Sequence, residues 1–88
     1  MTLMVHYVAV LPDGRNLSDL GEDWRADVQE LRETHLPYSG PPDWLQKPHV
    51  RTDWGTVIYE VDGDELLRLC GHHGEAGKRY IAVWMECY

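Results

Sequence analysis

Cys70-Gly71-His72-His73 is the group of residues whose types come closest to chemistry. Cysteine and histidine are the ligands zinc prefers, and Cys87 or His49 could meet them in space. The spacing argues the other way: the chain holds no C-x-x-C or H-x-x-x-H pair, and adjacent histidines are poorly placed to bind one ion together. The competing reading is a polar, solvated loop. Gly71–Lys78, GHHGEAGK, superficially resembles a phosphate loop, but His72 stands where the Walker pattern needs its first glycine. Arg79 then occupies the position of the magnesium-binding Ser or Thr. No metal or cofactor is expected.

Nucleophilic catalysis needs a Ser, Cys or Thr with a base and an orienting acid. Ser18 and Ser39 lie in cap and turn contexts, and Cys70 two residues from His72 does not establish a geometry. The carboxylates Glu60, Asp62, Asp64 and Glu65 read as a solvated edge, which also discourages edge-to-edge aggregation. The chain is therefore expected not to be an enzyme. A small metal- or ligand-binding domain centred on Cys70, His72 and His73, with catalytic potential, is the alternative.

The charge balance points to a different kind of function. Fifteen acids against eight bases leave a formal charge of −7. That disfavours direct nucleic-acid binding and anionic membranes, both of which want Lys and Arg. It suits a basic surface on a partner protein, including one that itself binds nucleic acid. Asp23, Asp27, Glu30 and Glu33 form one expected acidic patch, and Asp62 and Asp64 belong to a second. Trp44 and Trp54 add aromatic anchors of the type that carries binding hot spots. These eight residues are the expected partner-binding set. Small acidic single-domain proteins serve mobile genetic elements as anti-defence, antitoxin or immunity factors, so the expected function is a non-enzymatic inhibitor or regulator. The simpler reading is that excess acid keeps a small protein soluble.

Those residues must be held by one fold. Eighty-eight residues suffice for a single compact domain, 1–88, and a composition 43% apolar and 26% charged is globular. There is no Phe, and four Trp and five Tyr take its place. Lys78–Tyr88 alternates with Ile81, Val83, Met85 and Cys87 on one face and Tyr80, Ala82, Trp84, Glu86 and Tyr88 on the other. With both faces covered, it reads as a central strand. Thr2–Leu11 is a β-rich run closed by Pro12-Asp13-Gly14, hence a strand suited to lie beside it.

Leu20, Trp24, Val28, Leu31 and His35 recur at i, i+4, i+8, i+11 and i+15, which predicts a helix over Asp19–His35. Its apolar stripe would cover the Ile81/Val83/Met85 face. Pro37–Gly55 carries four of the five prolines and reads as a long loop, with a helical turn at Asp43–Lys47. Thr56–Val61 is a strand. Asp62-Gly63 suits a type I′ turn, making Glu65–Cys70 the returning strand. A short helix capped by Asp64 and closed by Gly71 is the alternative there.

The expected fold is thus α+β: a four-stranded, mainly antiparallel sheet in the order β-α-β-β-β, with one helix packed on one face. The Tyr80/Trp84 face would need the Pro-rich loop or a second copy in a homodimer. A Cys70–Cys87 bridge is open if their strands are adjacent. MTLMVHYVAVLPDGR lacks a basic leading segment and no apolar run reaches membrane-spanning length, so the expected location is cytoplasmic.

Overall fold

The computed structural model describes residues 3–36, 48–52, 55–71 and 74–87. The chain is α+β, with five antiparallel strands and one α-helix. The strands are β1 (Leu3–Leu11), β2 (Gln29–Glu33), β3 (His49–Arg51), β4 (Val57–Val61) and β5 (Arg79–Cys87), in the spatial order β2-β1-β5-β4-β3. The helix α1 spans Gly63–Cys70 between β4 and β5.

β5 is the middle strand, as its two apolar faces require. It pairs with β1 without a break from Leu3↔Cys87 to Leu11↔Arg79, and with β4 from Val57↔Trp84 to Val61↔Tyr80. Register and side-chain alternation sort the core into two halves. On one face Val8, Val10, Tyr59, Val61, Tyr80, Ala82 and Trp84 pack with Leu36 and with Leu66, Leu69 and Cys70 of α1. On the other, Ala9, Leu11, Ile58, Ile81 and Val83 pack with Leu20 and Trp24, and with Val28 and Met85 at the margin. The sheet is therefore the middle of three layers.

The expected helix over Asp19–His35 does not form. Leu17–Asp19 and Trp24–Asp27 are short 3-10 turns, and Gln29–Glu33 is β2. Leu20 and Val28 both take extended backbone, ending each turn. The reason is tertiary. β1 has β5 on one side only, and β2 satisfies the backbone groups on its other side, which outweighs the modest helix preference of QELRE. The apolar stripe still reaches its target, since Leu20 and Trp24 are buried over Ile81 and Val83. Leu31, expected in the core, is 38% exposed on the edge strand.

The second correction concerns Glu65–Cys70, where the helical alternative prevails over the hairpin. Asp62 caps α1 by accepting the Glu65 N–H at 2.8 Å, and Gly71 closes it at φ 78° with its N–H on the Leu67 carbonyl. The cap is Asp62 rather than Asp64. β4 already has β3 and β5 as neighbours, so no slot remains for a returning strand, while an amphipathic helix places Leu66 and Leu69 on the open face. α1 and Leu36 thereby cover Tyr80 and Trp84, the face for which a loop or second copy was expected. Cys70 is a free thiol on this helix.

β3 adds a strand inside the expected loop; with β2 in place of the expected helix and α1 in place of the returning strand, the sheet has five strands, not four. The expected turn at Asp43–Lys47 lies outside the described residues. No described helix is long and apolar enough to cross a membrane.

α1 is seated by a close backbone approach. A Cβ on Gly74 would lie 2.5 Å from the Tyr80 ring and 2.7 Å from the Gly63 Cα, whereas one on Gly21 would meet nothing. Gly74→Ala should therefore cost about 1–3 kcal/mol by overpacking, and Gly21→Ala should stay within about 0.5 kcal/mol. Chemical denaturation of the two variants checks this, and equal midpoints would contradict the seating of α1.

Candidate functional site

Positive charge in this protein is largely spent inside it. Arg15 pairs with Asp27 at 3.5 Å, Arg68 with Glu65 at 3.9 Å and Arg79 with Glu60 at 3.5 Å. Lys78 reaches Glu75 at 3.2 Å and Glu30 at 3.5 Å. The hydrogen bond to Glu75, then the attraction of Glu30, raises the Lys78 pKa above its ordinary value, so it stays charged. Arg25 lies over the Tyr7 and Trp24 rings, 5.3 and 5.4 Å from their centroids. Arg79 also donates to the Pro12 and Arg15 carbonyls, tying the turn after β1 to the start of β5. Arg32 makes no ion pair among the described residues.

The expected partner-binding acids divide into two groups. Asp62 is the cap of α1, Asp27 is held by Arg15, and Glu30 is held by Lys78. Asp23, Glu33 and Asp64 are exposed and form no ion pair among the described residues. No single helix face unites Asp23, Asp27, Glu30 and Glu33: Asp23 precedes a 3-10 turn that Asp27 ends, and the others lie on β2. Asp62 and Asp64 stand at the start of α1, not on a hairpin tip. Trp44 and Trp54 lie outside the described residues.

Glu30 is the one non-glycine among the described residues with positive φ, 53°. Between Val8↔Arg32 and Val10↔Gln29 the register slips by one residue, a β-bulge that this conformation makes. The bulge opens a cleft of about 110 Å³ with Val8, Val10, Leu66 and Tyr80 as its apolar wall and Glu30, Arg32, Glu75 and Lys78 at its rim. The Tyr80 hydroxyl accepts the Glu75 N–H at 2.6 Å, fixing the rim.

The expected metal group is only partly described. Cys70 donates its thiol to the Leu66 carbonyl at 3.3 Å and packs half-buried against the core, a structural use of sulfur. His72 and His73 lie outside the described residues. Among the described residues no three His, Cys, Asp or Glu side chains gather as a metal site would need.

His6 was not a sequence candidate, although its place in line with Val8 and Val10 could have marked it. It is 7% exposed, and its Nδ1 accepts the Leu36 N–H at 3.2 Å. The neutral ring then carries its proton on Nε2, which has no partner among the described residues. The Tyr59 hydroxyl on the same face is likewise unpaired, and Trp84 stands edge-on to both rings, 6.1 Å from His6 and 5.5 Å from Tyr59. Burial lowers the His6 pKa, with His35 adding repulsion, and burial pushes Tyr59 up to about 12 against the opposing pull of Arg51. Both are neutral near pH 7. Their placement anchors Leu36 and the aromatic core more readily than it supplies proton transfer.

Comparison with protein-family models, with curated proteins and with solved structures found no match to this chain.

Because His6 is easier to protonate in the unfolded chain, stability contributed by its neutral ring is complete above its ordinary pKa of 6.5 and is lost as pH falls through the lower folded value. Protonation also removes the acceptor for Leu36. The melting temperature of the wild type should fall more steeply between about pH 7 and pH 5 than that of His6→Leu. Parallel pH profiles would remove His6 from this role.

Proposed function

We propose that the protein is a non-enzymatic acidic binding module, a small inhibitor or regulator that sets unpaired surface acids against a basic surface of a partner protein. The observation that supports this is the division of charge. Most described bases are consumed by internal ion pairs or aromatic stacking, while exposed Asp23, Glu33 and Asp64 are not. Asp23, Glu33 and Asp64 are thus available to a partner in a chain whose formal charge is −7.

Such groups steer association and select against acidic competitors more than they add raw affinity. A partner carrying Lys and Arg would gain ion pairs at the rim of the contact, and binding would weaken as salt screens them. Inhibitors of the anti-defence, antitoxin or immunity kind fit this chemistry, because their targets often present basic nucleic-acid-binding clefts.

The test is a partner recovered by co-purification, then purified and titrated directly. Reversing Asp23, Glu33 and Asp64 to Lys together should weaken binding by at least about tenfold, mainly through slower association. The fold should be unchanged by circular dichroism, since none of the three holds an element in place. Asp62→Lys is unsuitable as a surface probe because it would remove the cap of α1. Binding indifferent both to the triple reversal and to salt would overturn the reading.

A further inference from the structure

We propose that β2 is an interface for a second copy of this chain, paired antiparallel across a two-fold axis at Leu31. This goes beyond the partner reading and does not rest on it. β2 is an edge strand: β1 is its one neighbour among the described residues, and all five of its side chains are exposed. Thr34 donates its N–H to the His6 carbonyl at 3.0 Å, and Arg32 stands opposite Val8. Backbone groups alternate along a strand, so those of Thr34 and Arg32 face β1 while those of Leu31 and Glu33 face outward. Two copies meeting at Leu31 would exchange a pair of main-chain hydrogen bonds at the axis.

The side chains select this register. Leu31 is one of two exposed large apolar residues among those described, and it is flanked by Glu30 and Arg32. With Leu31 opposite Leu31, Arg32 of one copy faces Glu30 of the other, and the symmetry gives that pair twice. Both residues line the bulge cleft. Arg32 has no ion pair among the described residues, and the contact gives it the exposed carboxylate of Glu30, which it would share with the Lys78 that already pairs with Glu30 at 3.5 Å. Centring the pair one residue later would set Arg32 against Arg32. The charged edge and its bulge reject arbitrary strands, as guarded edges do, and the E-L-R pattern admits its own antiparallel copy.

The contact is short of the ~1,200 Å² of a standard interface, so the dimer is weak, with a dissociation constant on the order of 10–100 µM. Sedimentation equilibrium of the purified full chain should show monomer–dimer exchange in that range. Arg32→Glu and Glu30→Arg should each weaken it at least about tenfold by placing like charges in both pairs, and the double exchange should restore it. A monomer at about 1 mM, single reversals that leave association unchanged, or a folded double exchange that fails to recover would each overturn the proposal. Should a charge variant misfold, cross-linking decides: on oxidation Leu31→Cys should form an intermolecular bond mapped by peptide analysis, because directly opposed Cα atoms lie about 5.5 Å apart. Glu33→Cys, two residues off the axis and so four residues out of register with its own copy, should not. Absence of the Leu31→Cys link, or equal linkage at both positions, would refute the register.

Discussion

The β1–β5 pairing is the constraint on which the rest of this protein depends. Two long strands run in unbroken antiparallel register, and both present apolar side chains on each face. Such a ribbon is costly in water unless two separate layers cover it. A chain of 88 residues has few segments to spare, and it divides them: Leu17–Val28 folds over one face and α1 with Leu36 over the other. That division explains the short elements. Neither cover is long enough to be a stable isolated helix, and each is held by the rings and branched side chains it buries. Trp24 on one side and Trp84 on the other are both nearly inaccessible, which is how a chain without Phe fills two half-cores.

The same constraint decides what could be read in advance. β1, β4 and β5 were legible because a strand apolar on both faces has few alternatives, and Pro12-Asp13-Gly14 marks where β1 ends. Leu20, Trp24 and Val28 reach the face that their helical spacing predicts, although no helix forms there. Helical spacing and two successive 3-10 turns both return side chains to one side, so periodicity alone did not separate them. QELRE points to helix in sequence because its residues favour helix slightly, and the need of β1 for a second neighbour is a non-local demand that no window of sequence contains. Asp62-Gly63 is ambiguous by chemistry: the dipeptide that starts a tight hairpin also caps and opens a helix. The occupancy of both sides of β4 resolves it.

The candidate site was legible in charge and not in geometry. Counting acids identified Asp23, Glu33 and Asp64 as surface charge, but could not separate them from Asp27, Glu30 and Asp62, whose carboxylates hold the fold together. That separation matters for mechanism. An acid already committed to a base or a backbone N–H must give up that bond before it serves a partner, while a free one gives up only water. His6 was hidden for the opposite reason. A lone histidine in an apolar strand has no pattern around it, and its bond to Leu36 joins residues that only the β1–β2 turnaround brings together.

The bulge at Glu30 connects these themes. A flat continuation of β2 would keep one register along β1 and leave a regular, open edge, the kind that aggregates. One added residue, taken up by a non-glycine at positive φ, bends the strand before Leu31 and brings Glu30 to Lys78. The cost of that backbone, of order 1–3 kcal/mol, is offset by surrounding contacts, here with Glu75, Lys78 and Tyr80 completing the rim. The regular part of the edge that remains is Leu31–Glu33, too short to template an arbitrary strand. Any partner that pairs there must find its energy in side chains, so the order of charges around Leu31, and not the strand itself, sets what the edge can recognise.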